Sequence, residues 1–265
     1  MRRGAHSGTG IAYWVQKTEP DIERGAAFLQ ADVFEMLLTP EEWTAVRLSL
    51  EVAFWATLCS LPPAILIGWV LARFEFPGKG IFDGIVHLPL VLPKVVVGYL
   101  LLIVLGNRGY LGQYLHEWFG ISLIFSTAGA TVAAAVVSFP LTVNAIRLAI
   151  GGIDKGIETA ARTLGASRLD AFFTVTLPLM MPGVLSGCLI SLASALGEFG
   201  ATITFVSNVE GQTRTIPLAI YSATHMPDGD AMALRLTVVS VVLALGSLML
   251  AEMADKRIRV ALGQI

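Results

Sequence analysis

The chain has 265 residues, a formal net charge of −2 and a hydrophobic content of 55%, to which 26 glycines add further apolar surface. Soluble domains reach about 45–50% with glycine included and carry about 25% charged residues, whereas charged residues make up 14% of this chain. This composition excludes an ordinary soluble protein and indicates an integral membrane protein. The balanced charge excludes a general nucleic-acid footprint, so no nucleic acid is expected as a partner.

Five stretches are long and apolar enough to cross a bilayer core of about 30 Å, which needs about 20 residues in a helix. In chain order they cover residues 46–72, 85–105, 128–150, 179–196 and 236–254. Prolines within the first four stretches predict kinks, because neighbouring helices can satisfy the carbonyls that a proline frees. The predicted fold class is therefore all-α, a polytopic membrane protein with five transmembrane helices.

The basic residues of the loops predict the orientation, because cytoplasmic loops carry the excess of Lys and Arg. Nine lie on one side: Arg73, Lys79, Arg147, Lys155, Arg162, Arg168, Lys256, Arg257 and Arg259. Four lie on the other: Arg47, Arg108, Arg214 and Arg235. The first side is expected to be cytoplasmic together with the C-terminus, and the start of the first span is expected outside.

Residues 1–35 form a polar extension without a span or a secretory signal. This extension is expected to be absent from the native product, with Met36 as its start, because its basic residues would nearly erase the orientation signal. The predicted organisation is the extension, a transmembrane domain over residues 36–259 and a cytoplasmic tail over residues 260–265. The two cysteines, Cys59 and Cys188, lie in apolar runs and are predicted to be buried packing thiols.

The sequence offers little chemistry of its own. Pro77-Gly78-Lys79-Gly80 lacks the upstream Gly and the Ser/Thr of a Walker A motif, and His116-Glu117 lacks the second His of a zincin. No nucleophile–base pair is evident within the spans, so no catalytic residue and no metal site are predicted. A membrane-embedded enzyme is accordingly disfavoured.

The informative segment is the cytoplasmic loop over residues 152–167, between the third and fourth spans. Its alanines favour a short helix with a small-residue face, and Gly165 is expected to end or cap that helix. Such a helix can insert into a groove of another protein, or it can simply link two spans at the membrane interface. The residues alone leave both interpretations open.

This segment resembles the EAA loop of ABC-importer permeases, whose pattern is E-A-A, three residues, G, nine residues and I-x-L-P. The matching or adjacent positions, which the resemblance implies contact an ATPase, are Glu158, Thr159, Ala160, Ala161, Gly165, Val175, Leu177 and Pro178. Thr159 occupies the position of the family's Glu, and Glu158 stands one place earlier. The resemblance thus implies a type I ABC importer permease with a cytoplasmic coupling helix.

Residues 87–93, 95–99, 196–208 and 213–217 are further similar to the permeases of molybdate importers. The sulfate/thiosulfate permeases share the Gly-Glu-aromatic-Gly segment but are less like residues 202–208 and 213–217. The resemblance implies a homodimer in the bacterial inner membrane, two cytoplasmic ATPase subunits that hold the ATP and Mg, and an external molybdate-binding protein. The chain itself is expected to bind no cofactor. Membrane lipid is expected to contact the outside of its spans.

Candidates for the gate or pathway are Pro89, Pro93, Lys94, Gly197, Glu198, Phe199, Gly200, Thr202 and Thr204. An ionisable residue near membrane depth is a functional candidate by default. Glu198 is expected to hold gate geometry by accepting hydrogen bonds, or else to be an interfacial carboxylate at a helix break. Lys94 can attract an oxyanion, snorkel, or pair with a carboxylate such as Glu51.

The sequence therefore predicts the membrane subunit of an ATP-driven importer that passes molybdate by alternating access. The alternatives within transport are sulfate/thiosulfate and tungstate. Outside this class the alternatives are a membrane-embedded enzyme, which the missing motifs disfavour, and a passive channel or scaffold subunit, which the EAA-like loop disfavours.

Overall fold

The computed structural model describes residues 38–261, with nothing but helices as regular structure in that range. The polar extension over residues 1–35, the expected start at Met36 and residues 262–265 of the tail lie outside the described residues. We number the helices α1 Pro40–Arg73, α2 Lys79–Val91, α3 Lys94–Leu105, α4 Gly112–Phe119, α5 Thr127–Gly151, α6 Lys155–Thr163, α7 Arg168–Ala171, α8 Leu177–Leu196, α9 Gly200–Val206, α10 Ile216–Ala223 and α11 Asp230–Ala261. A π-helical turn, Phe172–Thr176, joins α7 to α8.

Four continuous helical segments are long and apolar enough to cross a membrane: α1, α5, residues 168–196 and the Asp230–Leu250 part of α11. The predicted second span, residues 85–105, contains the kink that its prolines predict, and the kink is sharp, because α2 and α3 meet at a bend of 114°. Pro93 is the cause: it lacks an N–H and forces Leu92 into extended backbone, at φ −71° and ψ 145°. Helices α2 and α3 make a fifth span if the two halves of this broken helix are counted together as one span.

The prolines inside the other apolar stretches do not end their helices. Pro62 and Pro63 lie inside α1, Pro140 inside α5 and Pro182 inside α8, and each helix continues through them. Packing against neighbours therefore supports these helices despite the missing hydrogen bonds.

Small residues bring the central helices together. Ala53 and Ala56 of α1 and Ala130, Ala133 and Ala134 of α5 are completely buried in one core cluster. Without a hydrophobic effect between helices in lipid, close backbone approach and interhelical hydrogen bonds hold a bundle together. The Ser191 hydroxyl of α8 donates such a bond to the Ser138 hydroxyl of α5 at 3.0 Å.

Polar contacts define the two ends of the bundle. Arg73, the last residue of α1, contacts the carbonyl of Ile153 beyond the end of α5 at 3.4 Å. At the opposite end, the buried carboxylate of Glu42 at the start of α1 pairs with Arg235 of α11 at 2.9 Å. Helices α1, α5 and α11 therefore run the same way, and α8 runs back. We call the end with α6 the coupling end.

The two cysteines do not match the prediction of two buried thiols. Cys188 is half-buried in α8, but Cys59 is exposed on α1. An apolar run shows that a segment lies in the membrane, but it does not distinguish the lipid-facing side from the side that packs.

Candidate functional site: the coupling end and a broken-helix junction

Helix α6 is fixed at both ends by local chemistry. Asp154 precedes it, and its carboxylate accepts a hydrogen bond from the Gly156 N–H at 2.8 Å, which satisfies one of the free donors of the first turn. Gly165 follows the helix at φ +100°. Its N–H and that of Ala166 donate to the carbonyls of Arg162 and Ala161, both at 3.1 Å, the pattern of a Schellman cap.

Glu158 fastens α6 to the membrane-spanning helices. Its Oε1 accepts a hydrogen bond from Arg73 Nη2 at 2.9 Å and another from the Thr176 hydroxyl at 2.6 Å. The side chain of Arg73 is only 9% exposed, and Thr176 is buried in the π-helical turn. The carboxylate beside the family's Glu position is thus engaged within this chain. The sequence singled out Glu158 but gave no signal for Arg73 or Thr176.

Large apolar side chains are exposed at the coupling end. Leu164 is 90% exposed, and Ile157, Leu169 and Phe173 are exposed as well. Thr159 and Ala160 lie on the exposed side of α6, and Ala161 is half-buried. Several large apolar side chains exposed at one end of the bundle make this end a candidate for contact with a partner protein.

The three remaining residues of the EAA-like pattern lie on the way into α8. Leu177 packs against the core cluster of the coupling end, Val175 is half-buried and Pro178 is exposed. The pattern therefore spans one continuous segment from α6 through the π-helical turn to α8.

A second candidate site lies where two helix breaks meet. The break before α3 and the break over residues 197–199, between α8 and α9, bring the backbones of α3 and α9 into contact. A Cβ added at Gly98 would stand 2.6 Å from the carbonyl oxygen of Ala201, and one added at Gly200 would stand 2.8 Å from Lys94 Cβ. Both glycines are therefore required by close approach rather than by backbone conformation. We call this contact the junction.

Glu198 connects the two breaks. Its carboxylate is buried, and Oε1 accepts a hydrogen bond from the Ala201 N–H in the first turn of α9 at 2.8 Å. Its Oε2 lies 3.1 Å from Lys94 Nζ, an ionic contact without the alignment of a hydrogen bond. Of the options that the sequence left open for Lys94, the structure has the pairing with a carboxylate, but that carboxylate is Glu198 and not Glu51. The side chain of Lys94 is 49% exposed.

The other gate candidates divide between the junction and its surroundings. Phe199 stacks with Tyr221 of α10 at 5.3 Å, and the Thr204 hydroxyl donates to the Gly200 carbonyl at 2.8 Å. Thr202 is buried in α9. Of the candidates at the breaks, Gly197 ends α8 and Pro93 precedes α3.

Pro89 is not part of the junction. It lies in α2 and borders a groove with Pro63 of α1 and Phe139 of α5. Gly98, at the junction, lies between the large residues Val97 and Tyr99, and a glycine in that setting is a usable sequence signal of close backbone approach.

These features define a class of protein. Broken helices are tolerated at membrane depth only where protein or a water-filled cavity surrounds them, and transporters place them at their substrate pathways. A multi-pass helical bundle with two such breaks in contact, and with a small helix presented at one end, is a membrane transport protein.

The family is found by comparison. The family model described as "Binding-protein-dependent transport system inner membrane component" matches residues 64–260, and the chain belongs to this family. It is thus a multi-pass transport component of the inner membrane, which displaces the enzyme and passive-scaffold alternatives.

Curated relatives match over most of their own length. The "Molybdenum transport system permease protein ModB" of Escherichia coli (strain K12) is 56% identical over 217 residues, 82% of this chain and 95% of that protein. The protein of the same description from Haemophilus influenzae is 53% identical, over 84% of this chain and 97% of the relative. The "Sulfate transport system permease protein CysT" of Salmonella typhimurium is 32% identical, over 83% of this chain and 78% of that protein.

Among solved structures, a crystal structure of a bacterial alginate ABC transporter, in complex with an alginate-bound periplasmic protein, contains a similar chain. The TM-score is 0.70 at 20% sequence identity, with 94% of this chain and 91% of the other chain covered. At this identity the likeness shows the fold alone, which is that of an ABC importer permease.

Proposed function

We propose that this chain forms the membrane pathway for molybdate in an ATP-driven importer. The observation that carries the substrate is the identity of 53–56% to molybdenum permeases over nearly their whole length, against 32% to a sulfate permease. A dianion is too costly to bury bare in an apolar interior, so the pathway has to offer donors or water. Sulfate/thiosulfate and tungstate remain the competing cargoes, since they are oxyanions too.

The proposed partners are those that the resemblance to ABC-importer permeases implies. The chain acts as a homodimer, and each copy presents the exposed apolar surface around Leu164 and Phe173 to one cytoplasmic ATPase subunit. That subunit holds the ATP and Mg, and an external binding protein delivers the molybdate. The excess of Lys and Arg at the coupling end supports its cytoplasmic location, which places the start of α1 and the outer loops in the periplasm.

The contacts of Glu158 suggest how ATPase movement reaches the spans. A displacement of α6 acts on the end of α1 through Arg73 and on the entry to α8 through Thr176. Both contacts are charge-assisted hydrogen bonds, which are worth about 1.5–3 kcal/mol each. They couple α6 to two spans at once, as alternating access between an inward-open and an outward-open pathway requires.

The junction serves as part of the gate. Because the carboxylate of Glu198 is buried and already neutralises the Lys94 ammonium, Lys94 acts as its counter-ion rather than as an anion-binding group. The pair holds the start of α3 against the start of α9, and opening the pathway separates or tilts these two short helices. Glu198 is thus a positioning residue.

The cargo is tested by uptake. Cells that lack this chain are expected to lose molybdoenzyme activity at trace molybdate and to regain it at high external molybdate, through less selective carriers. Labelled molybdate uptake should return when the chain is restored, and labelled sulfate uptake should not change. Sulfate auxotrophy, with normal molybdate uptake, would assign the sulfate alternative.

ATPase docking is tested at the cap of α6. Gly165→Val places a β-branched residue at φ +100°, which is strained for any L-residue with such a side chain, so the ATPase should no longer co-purify. Gly151→Val is the matched control, since nothing lies within 4 Å of a Cβ added at either position. Equal ATPase recovery from both variants would refute the docking assignment.

The counter-ion role of Lys94 is tested with a double-mutant cycle. Lys94→Met and Glu198→Gln should each slow molybdate uptake by leaving one charge unpaired, and the neutral double variant should recover part of the loss. A direct role of Lys94 in anion binding would show instead as a raised KM that persists in the double variant. That outcome would contradict the proposed gate pair.

A further inference from the structure

A cavity of about 320 Å³ lies at the coupling end, between the end of α1, α6, α7 and the π-helical turn. Its lining includes Arg73, Arg162, Arg168, Glu158, Trp69 and Phe172. Its volume is at the lower end of the range for small-molecule sites. The pathway and the junction do not include it.

The cavity carries more positive charge than its own carboxylate balances. Three guanidinium groups face one carboxylate, that of Glu158. Arg162 and Arg168 form no ion pair with any residue in the described part of the chain. Clusters of arginine with planar donor geometry are the usual receptors for phosphate-type oxyanions.

Arg73 gives the cavity a donor on a largely buried side chain. Its side chain is 91% buried, as the exposed fraction is 9%, and both of its hydrogen bonds come from Nη2. Its Nε is buried and has no hydrogen-bond acceptor among residues 38–261. Nε is enclosed, so no ligand in the cavity reaches it. Nη1 makes no hydrogen bond in that range either and is not enclosed, so it is the donor that Arg73 offers to the cavity.

Aromatic rings form the membrane side of the cavity. The rings of Trp69 and Phe172 lie 5.5 Å apart, and Phe74 contacts Trp69 at 5.0 Å. Tryptophan at the end of a span marks the level of the lipid headgroups. Basic pockets at this level, between helices on the cytoplasmic side, bind anionic lipid headgroups.

We propose that this cavity is a binding site for a phosphate-type oxyanion, held by Arg73, Arg162 and Arg168. The phosphate belongs either to the headgroup of an anionic phospholipid or to a free ion, and both sources present the same tetrahedral acceptor. Because Arg73 and Glu158 also hold α6, occupancy of the site stiffens the coupling end. The inference does not depend on which anion the importer carries.

The test uses the complete transporter, purified with its ATPase partners. Native mass spectrometry of complexes in mixed phosphatidylglycerol and phosphatidylcholine counts retained anionic lipid, and titration with inorganic phosphate measures binding of the free ion. The variants are Arg162→Gln and Arg168→Gln, alone and combined. Arg257→Gln is the matched control, since it removes an exposed charge from the end of α11 but does not line the cavity.

Each arginine removed should weaken phosphate-type binding about fivefold, and the two together about 25-fold. Loss of retained phosphatidylglycerol in the double variant assigns the lipid headgroup, and loss of inorganic phosphate binding alone assigns the free ion. The Arg257→Gln control should bind like the unmodified transporter. Equal binding by the double variant and this control in both assays would overturn the proposal.

Discussion

The contact of α3 with α9 is so close that adding one methyl group should disturb it. In Gly98→Ala the new Cβ would stand 2.6 Å from the Ala201 carbonyl oxygen and 2.8 Å from Thr204 Cβ. The first of these atoms belongs to the backbone, so α9 itself has to shift. Gly84→Ala is the matched control, because Gly84 also lies inside a helix and nothing lies within 4 Å of an added Cβ there.

Gly84→Ala and Gly98→Ala should differ in their effect on the free energy of unfolding. Alanine is favoured over glycine in a helix by about 1 kcal/mol, so Gly84→Ala should stabilise slightly or do nothing. At Gly98 the same gain is offset by overpacking, which costs about 1–3 kcal/mol, and contact with backbone places the cost in the upper half of that range. The net destabilisation expected for Gly98→Ala is about 1–2 kcal/mol.

Thermal inactivation of the purified transporter in nanodiscs measures this difference. Gly98→Ala should lower the midpoint by a few degrees, and molybdate uptake should fall with it because α3 and α9 no longer pack closely on each other. Gly84→Ala should leave both quantities at the level of the unmodified protein or above it. A midpoint for Gly98→Ala that equals or exceeds that of Gly84→Ala would refute the close packing of α3 on α9.

Three further substitutions separate the two ends of the bundle from its centre. Glu158→Gln weakens the charge-assisted bond to Arg73, so less ATPase should co-purify. The control Glu252→Gln, in an exposed i,i+4 pair, should change the ATPase recovery little. Equal recoveries from the two variants would contradict the role of Glu158. Glu42→Gln, at the other end, should cost about 1–3 kcal/mol of stability and lower the inactivation midpoint, but the ATPase should still co-purify. Ser191→Ala removes one interhelical hydrogen bond worth about 0.6 kcal/mol, so uptake should be unchanged at equal protein level, and a selective uptake loss would place this hydroxyl in the pathway.

The sequence predicted the features that depend on local patterns. Apolar length located the spans, and the alanine-rich loop together with Gly165 located α6 and its cap. The family was confirmed by comparison. The signals for the spans and for α6 act over fewer than about 30 residues, the range within which helical periodicity, capping and hydropathy are set.

Features that depend on distant contacts were not predictable. The partner of Lys94 is Glu198, more than a hundred positions away, and a nearby carboxylate in the first span looked equally suitable. Pro93 breaks a helix, whereas Pro140 lies inside one. At the first of these prolines the start of α3 packs against α9, a contact that the local sequence does not show. A single sequence contains the residues of such a contact but not their pairing.

The π-helical turn Phe172–Thr176 has a consequence for the geometry of the coupling end. A π turn holds one residue more than an α turn, and one residue of an α-helix corresponds to a rotation of about 100°. The segment before the turn includes the exposed Leu169. It is therefore rotated about the helix axis by that angle, compared with the position it would have if α8 continued backwards as an uninterrupted α-helix. The number of residues in one turn thus sets the direction in which the exposed surface of the coupling end points, independently of how α8 packs against its neighbours.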